Sequence, residues 1–241
     1  MQPWEIMTSR FLNQCVGSAI CAFTVLCAEE QSPAAKKIQY RVPAADQPAV
    51  RINSMVRGES GSQPILSVLA PEHIGLTLKE QPSLFWFQSE LADKNFELTM
   101  VERKKPKPVL EVKILDPKNS GIHRLRLTDH KIKLAFNVEY EWTVALIAGP
   151  EKRSADVISR GAIKRIIPSD GLSAKLKKAD KTELPFLYAE EGIWYDSVES
   201  LSDLIDEHPN EPNLRQLRAD LLSQVGLNQA ADYEIKLVKG K

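Results

Sequence analysis

Cysteine is confined to the opening of this 241-residue chain, at Cys15, Cys21 and Cys27. Beyond Cys27 there is no thiol, so disulfides, thiol nucleophiles and Cys-based metal or redox sites are excluded from the body of the protein. An excess of one charge is also missing: 32 Lys and Arg balance 32 Asp and Glu. A nucleic-acid binder needs a dominant basic face against phosphate, so that class is excluded, as is a polybasic membrane-surface protein. No apolar run reaches the roughly twenty residues that a spanning helix requires. Histidine is scarce. None of His73, His123, His130 and His208 has a second His, or a helical Glu, four residues away, as a helical zinc site would. Gly-rich phosphate loops and the G-x-S-x-G elbow are absent. Catalytic, cofactor-binding and metal residues are therefore all expected to be none.

What is present changes character along the chain. "MQPWEIMTSRFLNQ" carries Arg10, "CVGSAICAFTVLCA" is an apolar run of small and large residues, and "EEQSPAAKK" is abruptly charged. A basic start, an apolar core of about a dozen residues and a small exit residue describe a signal peptide, with cleavage expected after Ala28. Leu26 before Cys27 and Ile20 before Cys21 do not suit a lipid anchor, so no stable membrane anchor is expected once the leader is removed. A cysteine-free exported chain fits the bacterial periplasm. Residues 29–63, rich in Gln, Ser, Pro, Ala and Gly, read as a flexible tether with one early strand around "VRINSMV".

From 64 to 167 the apolar period is two. Seven strands are expected, at 64–70, 83–89, 96–102, 109–115, 122–127, 139–148 and 156–167, separated by Pro, Gly, Asn and Asp. Seven short strands in about a hundred residues point to an antiparallel sandwich. In "EYEWTVAL", Tyr140, Trp142, Val144 and Leu146 share one face. Trp86 in "PSLFWF" and Tyr140 at a strand start stand where a core Trp and a tyrosine corner would, giving an immunoglobulin- or fibronectin III-like sandwich. "ERKKPKP" (102–108) reads as a solvated tip that protects a sheet edge.

After Pro168 the period becomes 3.6, and residues 168–227 read as a helical clasp. "GLSAKLKKAD" is a short polar helix or turn, and "TELPFLYAEE" is helical up to Gly192. In "GIWYDSVESLSDLIDEHPN" Asp196 and Glu199 have capping-box spacing. Trp194, Val198, Leu201, Leu204, Ile205 and His208 form one face. "NEPNLRQLRADLLSQVGL" forms a further helix ending at Gly226, and 228–241 reads as a tail. Gly192, Trp194, Ser197, Leu201, Leu204 and Pro209 match the second half of a tetratricopeptide repeat, but a lone repeat cannot bury its own stripe. It is expected to close on the sandwich, the alternative being a partner groove. Trp86, Tyr140, Trp142 and Trp194 are the expected large core residues.

Three blocks carry a resemblance: "IGLTLKEQPSLFWFQS", "EYEWTVALIAGPEKRSADVISRGAIKRI" and "LYAEEGIWYDSVESLSDLIDEHP". Across roughly residues 60–227 the chain resembles the DUF928 family of exported proteins from cyanobacteria and other Gram-negative bacteria. The resemblance implies domain extent and export, and implies no reaction. "ALIAGP" stands where that family usually carries a cysteine.

Candidate interaction residues are Arg153, Asp156 and Arg160, on a strand that Lys164 and Arg165 extend, together with Trp194, Tyr195 and Asp196. The arginine strand reads either as a receiver for an anion or an acidic partner, or as a sheet face laced with ion pairs. Glu190, Glu191 and Asp196 read as helix-end acids rather than a catalytic cluster. The functional expectation is a non-enzymatic interaction or assembly module of the cell envelope, with a protein partner. The alternative is a periplasmic small-ligand or glycan binder stacking sugars on aromatics such as Phe136 or Tyr195.

Overall fold

A computed structural model describes residues 36–43, 51–52, 64–90, 95–114, 119–149, 151 and 153–240. The expected leader and most of the expected tether lie outside these residues. The chain is mainly β, with two sheets followed by five helices. Strands β1 (Leu66–Val68), β3 (Ser83–Gln88) and β6 (Gly121–Arg126) form one sheet in the order β1-β3-β6. Strands β2 (Gly75–Thr77), β4 (Phe96–Glu102), β5 (Pro108–Ile114), β7 (Glu139–Leu146) and β8 (Val157–Arg165) form the other, in the order β2-β8-β7-β4-β5.

All seven expected strands are found, and β2 is an eighth. It runs parallel to β8, pairing Gly75 with Ile163 and Thr77 with Arg165. The sheet is therefore mixed rather than wholly antiparallel. Three residues are too few to show a period, which is why β2 escapes a periodicity reading.

Alternation decides which side chains enter the core. In β7, Tyr140, Trp142, Val144 and Leu146 are buried, while Glu141 and Thr143 are half-exposed. In β3 every residue is buried, because both of its faces are covered. Trp86 faces the five-stranded sheet, with its ring edge-on to Phe96 at 6.0 Å. Ser83 and Phe87 face the helices: Ser83 bonds to Glu199, and the Phe87 ring lies 5.5 Å from that of Tyr233.

The helices are α1 (Asp170–Lys178), α2 (Leu184–Glu190), α3 (Trp194–Glu207), α4 (Pro212–Ser223) and α5 (Asn228–Lys239). Ser169 caps α1, its hydroxyl accepting from the Leu172 N–H at 3.2 Å. Pro185 and Pro212 sit in the first turns of α2 and α4, where a missing N–H costs nothing. Three expectations are corrected here. Residues 228–239 are helical, not a tail. Asp196 does not cap α3: the helix begins at Trp194 after Ile193, which places Asp196 inside the first turn. Residues 37–43 are not free of the domain, since Ile38 and Tyr40 belong to the core. Gln224 holds them with its amide, accepting from the Tyr40 N–H at 2.8 Å and donating to the Ile38 carbonyl at 3.1 Å. The Arg41 N–H donates to the Ala189 carbonyl at 3.0 Å. Of the early strand around "VRINSMV", Ile52 bridges Arg160, and residues 50 and 53–56 lie outside the described residues.

Candidate functional site

The N-terminal turn of α3 plugs the edge between the two sheets. Trp194 is fully buried and its indole N–H donates to the Leu69 carbonyl at 2.8 Å. The Tyr40 ring meets it edge-on at 5.0 Å. Next in the chain, the Tyr195 hydroxyl accepts from Trp142 Nε1 at 2.8 Å and donates to the Ala162 carbonyl at 2.9 Å. Burial raises the Tyr195 pKa, so the phenol stays protonated. Gly75 makes room for this ring: a Cβ there would stand 2.5 Å from Tyr195 Cε2.

Asp196 is equally buried. Its Oδ2 accepts from the Leu78 N–H at 3.2 Å, and its Oδ1 has no partner. Burial pushes its pKa up to about 6, against the opposing pull of the Thr77 side chain, the Lys79 charge and the Leu78 N–H. One turn on, Glu199 reaches across to the three-stranded sheet. It accepts from the Ser83 N–H (3.1 Å), the Ser83 hydroxyl (2.9 Å) and Arg124 Nη2 (2.8 Å). Arg124 also lies over the Phe85 ring at 5.2 Å. What reads in sequence as a capping box is a pair of inward-facing acids that join α3 to two different sheets.

The other candidates lie on the outer face of the five-stranded sheet. Thr99, Thr143 and Arg160 are in register across β4, β7 and β8. Arg160 Nη1 lies 3.7 Å from Glu141 Oε2. At the end of this row Arg153 bonds Glu97 at 3.3 Å, and its Nε lies 3.1 Å from Asp156 Oδ2. The second Asp156 oxygen accepts from the Ala148 N–H at 2.8 Å. With Val101 and Ile158, these residues line a shallow concavity of about 290 Å³. Arg153, Asp156 and Arg160 are thus brought together, whereas Trp194, Tyr195 and Asp196 are separated from them by the thickness of the sheet. The second trio is sealed in the interior and presents no surface. Its nomination as interaction residues is corrected, because the aromatic pair fills the inter-sheet edge instead. Phe136, considered for sugar stacking, is half-exposed, but the Arg165 guanidinium covers its ring at 3.8 Å.

Sequence reasoning missed Arg124, whose partners Glu199 and Ser83 are remote in the chain. Its only local signal is a cation in a short apolar strand that needs a counter-charge. Among the described residues, no group of three or more His, Cys, Asp or Glu is arranged to hold a metal ion. No described helix is long and apolar enough to cross a membrane.

The profile of a domain of unknown function, DUF928, matches residues 52–235. The chain belongs to the DUF928 family. The DUF928 match spans both sheets and continues into α5, so the C-terminal helices are part of the family domain. No curated protein matches the chain. A multi-domain immunophilin from Arabidopsis thaliana is similar at 7% identity and a TM-score of 0.18, over 77% of this chain and 100% of that one. A likeness that low does not establish a common fold for this DUF928 protein.

Proposed function

We propose that this chain is a non-enzymatic interaction module of the bacterial cell envelope, exported by its first 28 residues, which binds a protein partner on the outer face of the five-stranded sheet. One observation carries the reading. Among the described residues the helices pack on β2, β3 and β6, which leaves the outer side chains of β4, β7 and β8 as the broad open face. There Thr99, Val101, Glu141 and Thr143 are half-exposed and Ile158 is 39% exposed. Mixed charges beside apolar side chains are the composition of an interface rim and centre. The immunoglobulin-like reading of the two sheets draws support from the strand order, and from the Ala135 N–H donating to the Tyr140 hydroxyl (3.2 Å) at the start of β7.

Site-specific photocrosslinking in the native host tests this. A photoreactive residue at Thr143 should give one adduct with an identifiable envelope protein, absent when the probe sits at exposed Ser223 and reduced by Arg160→Glu. No adduct at Thr143, or identical adducts at both positions, would sink the proposal.

A further inference from the structure

The helical side of the molecule holds a second feature, separate from the sheet face. The start of β6 and helices α4 and α5 line an open cleft of about 320 Å³. At its wall Arg218, 6% exposed, donates to Glu234 Oε1 at 2.8 Å through Nη2 and to the Ser202 hydroxyl at 3.0 Å through Nη1. Its Nε has no partner. Arg215 reaches the other Glu234 oxygen only at 3.4 Å. Two guanidinium groups therefore share one carboxylate. His123 lines the same cleft, stacked on Trp86 at 5.3 Å with its Nε2 unpartnered. Burial lowers the His123 pKa, so at neutral pH it adds no charge. The lining holds one positive charge in excess.

One side of the cleft is held by close packing. Gly121 has φ +115°, and a Cβ there would stand 2.6 Å from Tyr233 Oη. The Tyr233 hydroxyl donates to the Ser120 carbonyl at 3.3 Å, which fixes the ring against the loop. Ile122 and the 36%-exposed Leu237 add apolar wall. The volume corresponds to roughly ten waters at about 30 Å³ each, room for a small organic molecule.

We propose that this cleft binds a small organic acid bearing a single carboxylate. A planar carboxylate accepts two parallel N–H bonds from the guanidinium fork of Arg215. It neutralises the one excess charge, and its hydrocarbon part lies along Ile122 and Leu237. A phosphate or sulfate dianion overcompensates that charge and leaves the apolar wall unused.

Amide chemical-shift titration of the full chain at pH 7.5 and fixed ionic strength tests this with butyrate, benzoate, sulfate and phosphate. Butyrate or benzoate should give saturable shifts at Ser120, Ile122 and Tyr233. Arg215→Ala should weaken binding roughly ten-fold, and Leu237→Glu, which leaves the ion pair intact, should weaken it as well. Arg103→Ala, on the β4 side, should change nothing. The proposal is overturned if neither acid saturates, if sulfate or phosphate binds more tightly, or if both pocket variants bind like the native chain.

Discussion

The Trp142 indole N–H ends on the Tyr195 hydroxyl at 2.8 Å, joining the middle of a sheet to the first turn of a helix 53 residues away in sequence. Because the same hydroxyl donates to Ala162, one oxygen satisfies two groups that have no access to water. Tyr195→Phe keeps the ring and removes only that oxygen. It leaves a buried donor and a buried acceptor unpaired, each costing about 1–3 kcal/mol. Urea denaturation should show a loss of about 2–6 kcal/mol on that basis. Trp142→Phe should then cost less than it does in the native chain, because only its lost packing remains once the hydrogen-bond partner is gone. Additive losses would show that the two side chains are not coupled.

Trp194 is the clasp residue. Its replacement by Ala removes a fully buried indole and its bond to the Leu69 carbonyl. Such changes cost about 3–5 kcal/mol, a large share of a typical total stability of about 5–15 kcal/mol. Trp194→Ala should melt far below the native chain and accumulate poorly. A folded variant with an unchanged melting point would show that α3 does not close the sheets.

Asp196 makes stability depend on pH with an unusual sign for a carboxylate. Its folded pKa, about 6, lies above the ordinary 3.8. The folded state therefore holds the proton more tightly. That contribution is fully present below pH 3.8 and is lost as pH rises through about 6. A gap of about two units corresponds to about 3 kcal/mol. Denaturation curves at several pH values should show the native chain losing up to that amount relative to Asp196→Asn between about pH 4 and pH 7. Parallel profiles for the two proteins would mean that Asp196 does not titrate in this range.

Export is tested by mass. Protein recovered from the periplasm should lack its first 28 residues and begin at Glu29. An intact mass that still includes Met1 would refute the leader.

The sheets were legible where one face of a strand is wet. "EYEWTVAL" alternates because β7 has an outer face with Glu141 and Thr143 on it. The Trp194 stripe was legible because α3 buries large apolar residues at helical spacing. Helix α5 was not, because it buries Ala230, Ala231 and Glu234 rather than leucines. A charged residue buried against Arg218 looks like surface until its partner is known. The same limit hid Asp196 and Glu199. Acids early in a helix suggest capping, and nothing local reports that Leu78 and Ser83, more than a hundred residues earlier, receive them. In the outer-face group, Arg153 and Asp156 are near neighbours in sequence, so their association could be read directly. The cleft between α4 and α5 left one readable trace: Arg215 and Arg218, three residues apart, share a face of a helix whose other stripe is leucine.

The grip of Gln224 on Ile38 and Tyr40 has a consequence for the order in which the chain becomes a protein. The first described residues are secured by a side chain 184 positions later. The inter-sheet edge likewise waits for Trp194 and Tyr195. Among the described residues the early segments are thus completed by distant partners, and closing such contacts makes folding slow relative to helical bundles. A chain made N-terminus first therefore completes these contacts only once its last helices are made.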